Sequence, residues 1–114
     1  MNLCNYFSVG NSGWTNDYLL ERAKNLPNFR LELDSTFLKN KIHWKIDNIG
    51  DYITHYNRMM NSNLTCPIIL RSDAVVMDGY HRLIKALLEN RSYLLAKKFL
   101  IDPPPNATLV EVNA

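Results

Sequence analysis

The chain has 114 residues, a formal charge of +2, 46% hydrophobic and 21% charged residues. That balance excludes a wholly disordered chain, and the length suffices for one domain with a modest core. No apolar run approaches the roughly 20 residues of a membrane span, and two cysteines, Cys4 and Cys66, are too few for a disulfide-stapled module.

The opening segment MNLCNYFSVGNSGW has no charged region followed by an apolar run, so the expectation is a cytoplasmic chain with reduced thiols and no membrane partner. Residues 14 to 25 read as a first helix: Thr15 is a suitable cap, and Trp14, Tyr18, Leu19 and Arg22 follow at helical spacing. Pro27 ends it. FRLEL, from Phe29 to Leu33, alternates as a half-buried strand does. DSTFLKNKIHWKIDNIG reads as an irregular connection around an isolated Trp44, a core plug in preference to a base-stacking platform.

Ile49, Tyr52, Ile53, Tyr56, Met59 and Met60 then form a stripe of helical period, expected to face the core, with Asp51 near the helix start. PIILR and AVVM are two β-branched runs joined by a tight hairpin at Ser72-Asp73. Cys66, leading into the first of them, is expected to be a buried spacer. A helix from Gly79 to about Asn90 follows, with Tyr80, Leu83, Ile84, Leu87 and Leu88 on one face. YLLAKKFLI is a last strand, stopped by DPPPN, and TLVEV is a short run in the tail. This order predicts an α+β fold in one domain, residues 1–114 with a core of about 14–105: a small mixed sheet with packed helices.

The chemistry concentrates at MDGYHRLIK, where a strand ends and a helix begins. The unpaired N–H groups of a helix N-terminus and its dipole favour an anion, and glycine at 79 leaves the backbone open to a phosphate. His81 adds a titratable donor, Arg82 a fork of donors suited to phosphate oxygens, and Lys85 stands one turn later on the same polar face. Asp78 suits a metal ligand, a base, or an orienting partner for Arg82. Between residues 79 and 99 five basic residues face one acidic one, a local +4 that leaves −2 for the rest of the chain. The competing reading is an ordinary N-cap and turn with solvated His and Arg. His43 and His55 have no metal-ligand spacing to His81, so surface or satisfied polar roles are expected.

The segment PIILRSDAVVMDGYHRLIKALLENRSYLLAKKF resembles the core of the ParB/sulfiredoxin superfamily, with its strand, hairpin, G-x-x-R helix start, helix and strand. The box DGYHR is most similar to the Asp-Gly-His-His-Arg box of free serine kinases. The helix bearing Trp14, LPNFRLEL, Trp44 and DPPP extend the likeness to small stand-alone bacterial ParB-like proteins, over about 14–105. The resemblance implies a ParB/sulfiredoxin-like fold that binds ATP or CTP with Mg²⁺. In it Gly79, Tyr80, His81 and Arg82 contact phosphates, and Asp78 and His81 carry metal or proton chemistry. Tyr80 stands where sulfiredoxins carry their reactive cysteine, so sulfinic-acid reduction is not expected. Glu21 and Glu32 are the early candidates for the glutamate that the serine kinases use. The expected function is nucleotide binding, with hydrolysis or phosphoryl transfer as the associated reaction. The alternatives are binding or cutting of a nucleic-acid backbone at the same corner, and a non-catalytic interaction or inhibitory protein with a protein partner.

Overall fold

A computed structural model describes residues 6–9, 12–42 and 44–108. Its strands are β1 Tyr6–Val9, β2 Ser12–Thr15, β3 Phe29–Glu32, β4 Ile68–Leu70, β5 Val76–Asp78, β6 Tyr93–Lys98 and β7 Ala107–Thr108. Its α-helices are α1 Asn16–Ala23, α2 Ile49–Met60 and α3 Tyr80–Leu88, with a 3₁₀ helix at Ser35–Lys39. The fold is α+β. A mixed four-stranded sheet has the order β3-β6-β4-β5, in which only β4 and β6 run parallel, joined through the β5 hairpin and α3. A second small sheet has the order β1-β2-β7.

Both faces of the larger sheet are covered, so β4 is apolar at every position. Ile69 faces one core with Trp14, Leu19, Ala23, Met77 and Phe99, beneath α1. Its neighbours Ile68 and Leu70 face the other with Val76, Leu83, Leu94 and Ala96, beneath α3. The β4–β5 hairpin turns as expected: the Arg71 guanidinium grips the Asp73 carboxylate, Ala74 N–H donates to Arg71 O at 2.8 Å, and Ala74 takes a positive φ of 70°. The last turn of α3 closes as a Schellman motif. Asn90 takes φ 55°, its N–H donates to Leu87 O, and Arg91 N–H reaches back to Ala86 O at 3.0 Å.

Several expectations are corrected. Trp14 and Thr15 belong to β2, and α1 starts only at Asn16. Thr15 does occupy the N-cap position, but its side chain makes no bond to the helix; instead Asn106 Oδ1 accepts from Thr15 N–H and Asn106 Nδ2 donates to Thr15 Oγ1. The proline run just before Asn106 straps down β2 and α1, with Pro103 O accepting from Trp14 Nε1 at 2.8 Å and Pro104 O from the Tyr18 hydroxyl at 2.7 Å. The last main-sheet strand ends at Lys98, leaving Leu100 and Ile101 exposed. Cys66 is exposed, not buried. The largest correction is α2. Its buried residues are His55 and Met59, whereas Ile49, Tyr52, Ile53, Tyr56 and Met60 face outward. Among the described residues no helix is long and apolar enough to cross a membrane.

Candidate functional site

The strand-to-helix corner is built around Gly79. It caps α3 with φ 113°, a conformation that side-chain-bearing residues rarely adopt. A Cβ there would lie 2.4 Å from Cγ2 and 2.8 Å from Cβ of Ile68, so the glycine is required by its own backbone and by the packing of β4. The cap makes no side-chain hydrogen bond to the start of α3. The expected helix start is therefore present, but the sequence-based reason for glycine, room for a phosphate, is not the one the packing supplies.

From this corner the candidate residues diverge in three directions. Asp78 and Arg82 turn toward α1. Arg82 Nη2 donates to Asp78 Oδ2 at 2.8 Å, and Asn16 Nδ2 donates to Asp78 Oδ1 at 2.5 Å. Both carboxylate oxygens are thus engaged, which supports the orienting role among those expected for Asp78. These side chains line a cleft of about 550 Å³ together with Lys24, Lys97 and Cys66. Three cations face one carboxylate there. Lys97 Nζ also donates to the last carbonyls of α1, Ala23 O at 3.3 Å and Lys24 O at 3.1 Å, while the neighbouring Lys98 is exposed. The Lys24 ammonium reaches Glu21 at 2.7 Å in a pair exposed enough to exchange readily with solvent.

His81 turns instead toward α2. Its Nε2 lies 3.0 Å from Nδ1 of the buried His55, and the ring planes differ by 13°. The centroids are 5.2 Å apart, longer than the N···N distance by about one ring diameter, so the imidazoles meet edge to edge. Trp44 stacks on both, at 4.3 Å from His55 and 4.2 Å from His81. Rings on opposite faces of the indole would lie near the sum of those distances. The observed 5.2 Å places both imidazoles on one face, with Trp44 as a lid across the pair. Burial, reinforced by His55, Arg58 and Arg82, pushes the His81 pKa down to about 4, and burial likewise lowers that of His55. One ring donates and the other accepts, which suits two neutral imidazoles. At neutral pH His81 therefore brings no positive charge to an anion.

Lys85 also turns to α2, where its ammonium donates to Met60 O at 3.0 Å and Ser62 O at 2.9 Å, closing the negative end of that helix. It lines a different cavity, with Ser62, Thr65, Glu89 and Arg91. Tyr80 takes the third direction. It sits edge-on to Trp44 with centroids 6.5 Å apart and lines an apolar groove with Phe37, Leu38, Leu83 and Leu87; burial raises its pKa.

The structure thus brings Asp78 and Arg82 together and separates them from His81, Lys85 and Tyr80. Two contributors were not signalled by the sequence: Asn16 and Lys24 come from a distant segment, and no local spacing points to them; the pairing of His55 with His81 was likewise without a local signal. His55 takes the satisfied polar role expected of it, and Trp44 proves to be a half-buried lid. His43 lies outside the described residues. Among the described residues no three or more His, Cys, Asp or Glu side chains converge as a metal cage, and the carboxylate in the cleft is already bonded. The residues present do not fit a Mg²⁺ ion held by the protein alone. Comparison with models of known protein families, with curated proteins and with solved structures finds no match to this chain.

Proposed function

We propose that this chain binds a phosphate-bearing nucleotide, ATP or CTP, in the cleft between α1 and the start of α3. The observation that carries the reading is Arg82. Its side chain is only 17% exposed, and Asp78 Oδ2 is its hydrogen-bond partner among the described residues. A guanidinium has five N–H donors, so most of this fork is left for an acceptor, and phosphate oxygens match its geometry. Lys24 and Lys97 add to the positive charge, and about 550 Å³ is within the range of small-molecule sites. Asp78 and Asn16 hold the fork in place. Mg²⁺ enters on the nucleotide's own phosphates, as that ion commonly does. The resemblance of DGYHR and its surroundings to the ParB/sulfiredoxin superfamily supports the same ligand class, and the exposed Cys66 thiol suits a reducing cytoplasm.

Isothermal titration with ATP, CTP and ADP, each with and without Mg²⁺, tests the proposal. Saturable heat is expected, with affinity at least tenfold weaker for Arg82→Ala, a loss of about 1.4 kcal/mol or more. Thermal melts establish that the variant is folded. No heat with any nucleotide, or equal affinity in a folded Arg82→Ala variant, refutes the proposal. Gel shifts with DNA or RNA that weaken steeply with salt, in a chain giving no heat with nucleotides, would assign the guanidinium to a backbone phosphate instead.

A further inference from the structure

The outward face of α2 is apolar and uncharged. Ile49, Tyr52, Ile53, Tyr56 and Met60 are 79%, 63%, 51%, 49% and 50% exposed, and the other exposed members of the helix are Gly50, Thr54 and Asn57. The charged residues of α2, Asp51 and Arg58, are half-buried and share a face with the buried His55 at helical spacing. A solvated face normally carries the charges and a buried face the apolar stripe, and here the two are exchanged. Tyr and Met on a surface depleted of charge are the composition of an interface core.

We infer that this face packs against the same face of a second copy of the chain, with the two α2 helices antiparallel about a two-fold axis. Four of the five apolar positions read the same in both directions, and Tyr52 is set against Asn57. Positions 49, 53, 56 and 60 are symmetric about the midpoint of the helix, so the axis sets Ile49 against Met60 of the second copy and Ile53 against Tyr56, each contact being made twice. A charge close to a two-fold axis would meet its own copy, and this face carries none. The antiparallel arrangement also sets each helix N-terminus beside a C-terminus, the favourable alignment of the two dipoles. The five side chains expose roughly 600 Å², and with Gly50, Thr54 and Asn57 the patch approaches the roughly 800 Å² per partner of a standard interface.

Sedimentation equilibrium of the full chain from low micromolar to millimolar concentration tests this, the monomer being 13.2 kDa. A monomer–dimer equilibrium is expected. Ile53→Lys and Tyr56→Glu should each weaken it more than about tenfold, with helical circular dichroism unchanged and melting unchanged at concentrations too low for the parent to dimerise. Leu100→Glu, at a residue 89% exposed and outside the stripe, should leave it intact. An equimolar mixture of the two α2 variants should recover the dimer, since the new lysine and glutamate then face each other at one of the two central contacts. A chain that stays monomeric throughout, or a dimer that persists in both variants, overturns the inference. Failure of the mixture to recover overturns the antiparallel pairing, and none of these outcomes bears on nucleotide binding.

Discussion

Replacing Gly79 with alanine probes the corner where sequence and packing offer different reasons for the same residue. Its φ of 113° alone costs a side-chain-bearing residue about 1–3 kcal/mol. The new Cβ would also lie 2.4 Å from Ile68 Cγ2, and Ile68 is fully buried at the centre of the sheet, opposite Ala96, with little room to yield. Overpacking of this kind adds about 1–3 kcal/mol, so Gly79→Ala should lower stability by about 2–6 kcal/mol. Urea unfolding followed by far-ultraviolet circular dichroism measures it as a lower midpoint at unchanged slope. Ile68→Ala in the same chain removes the closer clash, with Cγ2, while leaving the φ strain and the 2.8 Å approach to the Ile68 Cβ. The double-mutant cycle should show favourable coupling of about 1 kcal/mol or more. A Gly79→Ala variant within about 0.5 kcal/mol of the parent would refute the packing argument, because a glycine serving only to admit a phosphate would cost affinity and spare stability.

Acid should destabilise the chain through His81. Its pKa is held at about 4 against an ordinary 6.5, so as pH falls below 6.5 the unfolded state takes up a proton that the folded state refuses. Stability is whole above pH 6.5 and declines toward pH 4; the full shift would correspond to about 3.4 kcal/mol, which solvent screening of the half-buried ring reduces to about 2 kcal/mol. Urea unfolding at a series of pH values should show a drop that His81→Gln reduces, and parallel profiles for both chains would contradict it. Lys85→Met should cost about 1–2 kcal/mol, because two carbonyls at the end of α2 lose their donor, yet leave nucleotide affinity within twofold of the parent. A large loss of affinity in calorimetry would return Lys85 to the ligand site.

The centre of the fold was legible because its signals are local. Two β-branched runs, a short turn, a glycine and an amphipathic stretch dictate β4, β5 and α3 in order, and both faces of β4 being covered explains its unbroken apolar run. The N-terminal hairpin was hidden because β1 and β2 are short and set among asparagine, serine and glycine. In α2 the period announced the helix but not its orientation. His55 and Met59 turn inward because His81 and Trp44 give the imidazole partners, and the more apolar stripe is left outside. At the corner, adjacency in sequence suggested one cradle. Successive positions on a helix point about 100° apart, so Arg82, His81 and Tyr80 reach three different neighbours. Only the Asp78–Arg82 pair, one turn apart, remains together.

On the proposed function, Arg82 and the cleft around it receive phosphate. Backbone amide shifts recorded while ATP is titrated into the chain test this most directly. Saturable changes are expected, concentrated at Asn16, Lys24, Asp78, Arg82 and Lys97, reproduced by CTP and lost in Arg82→Ala. Saturable changes centred on other residues, with those five unmoved, or no changes at all, would contradict it.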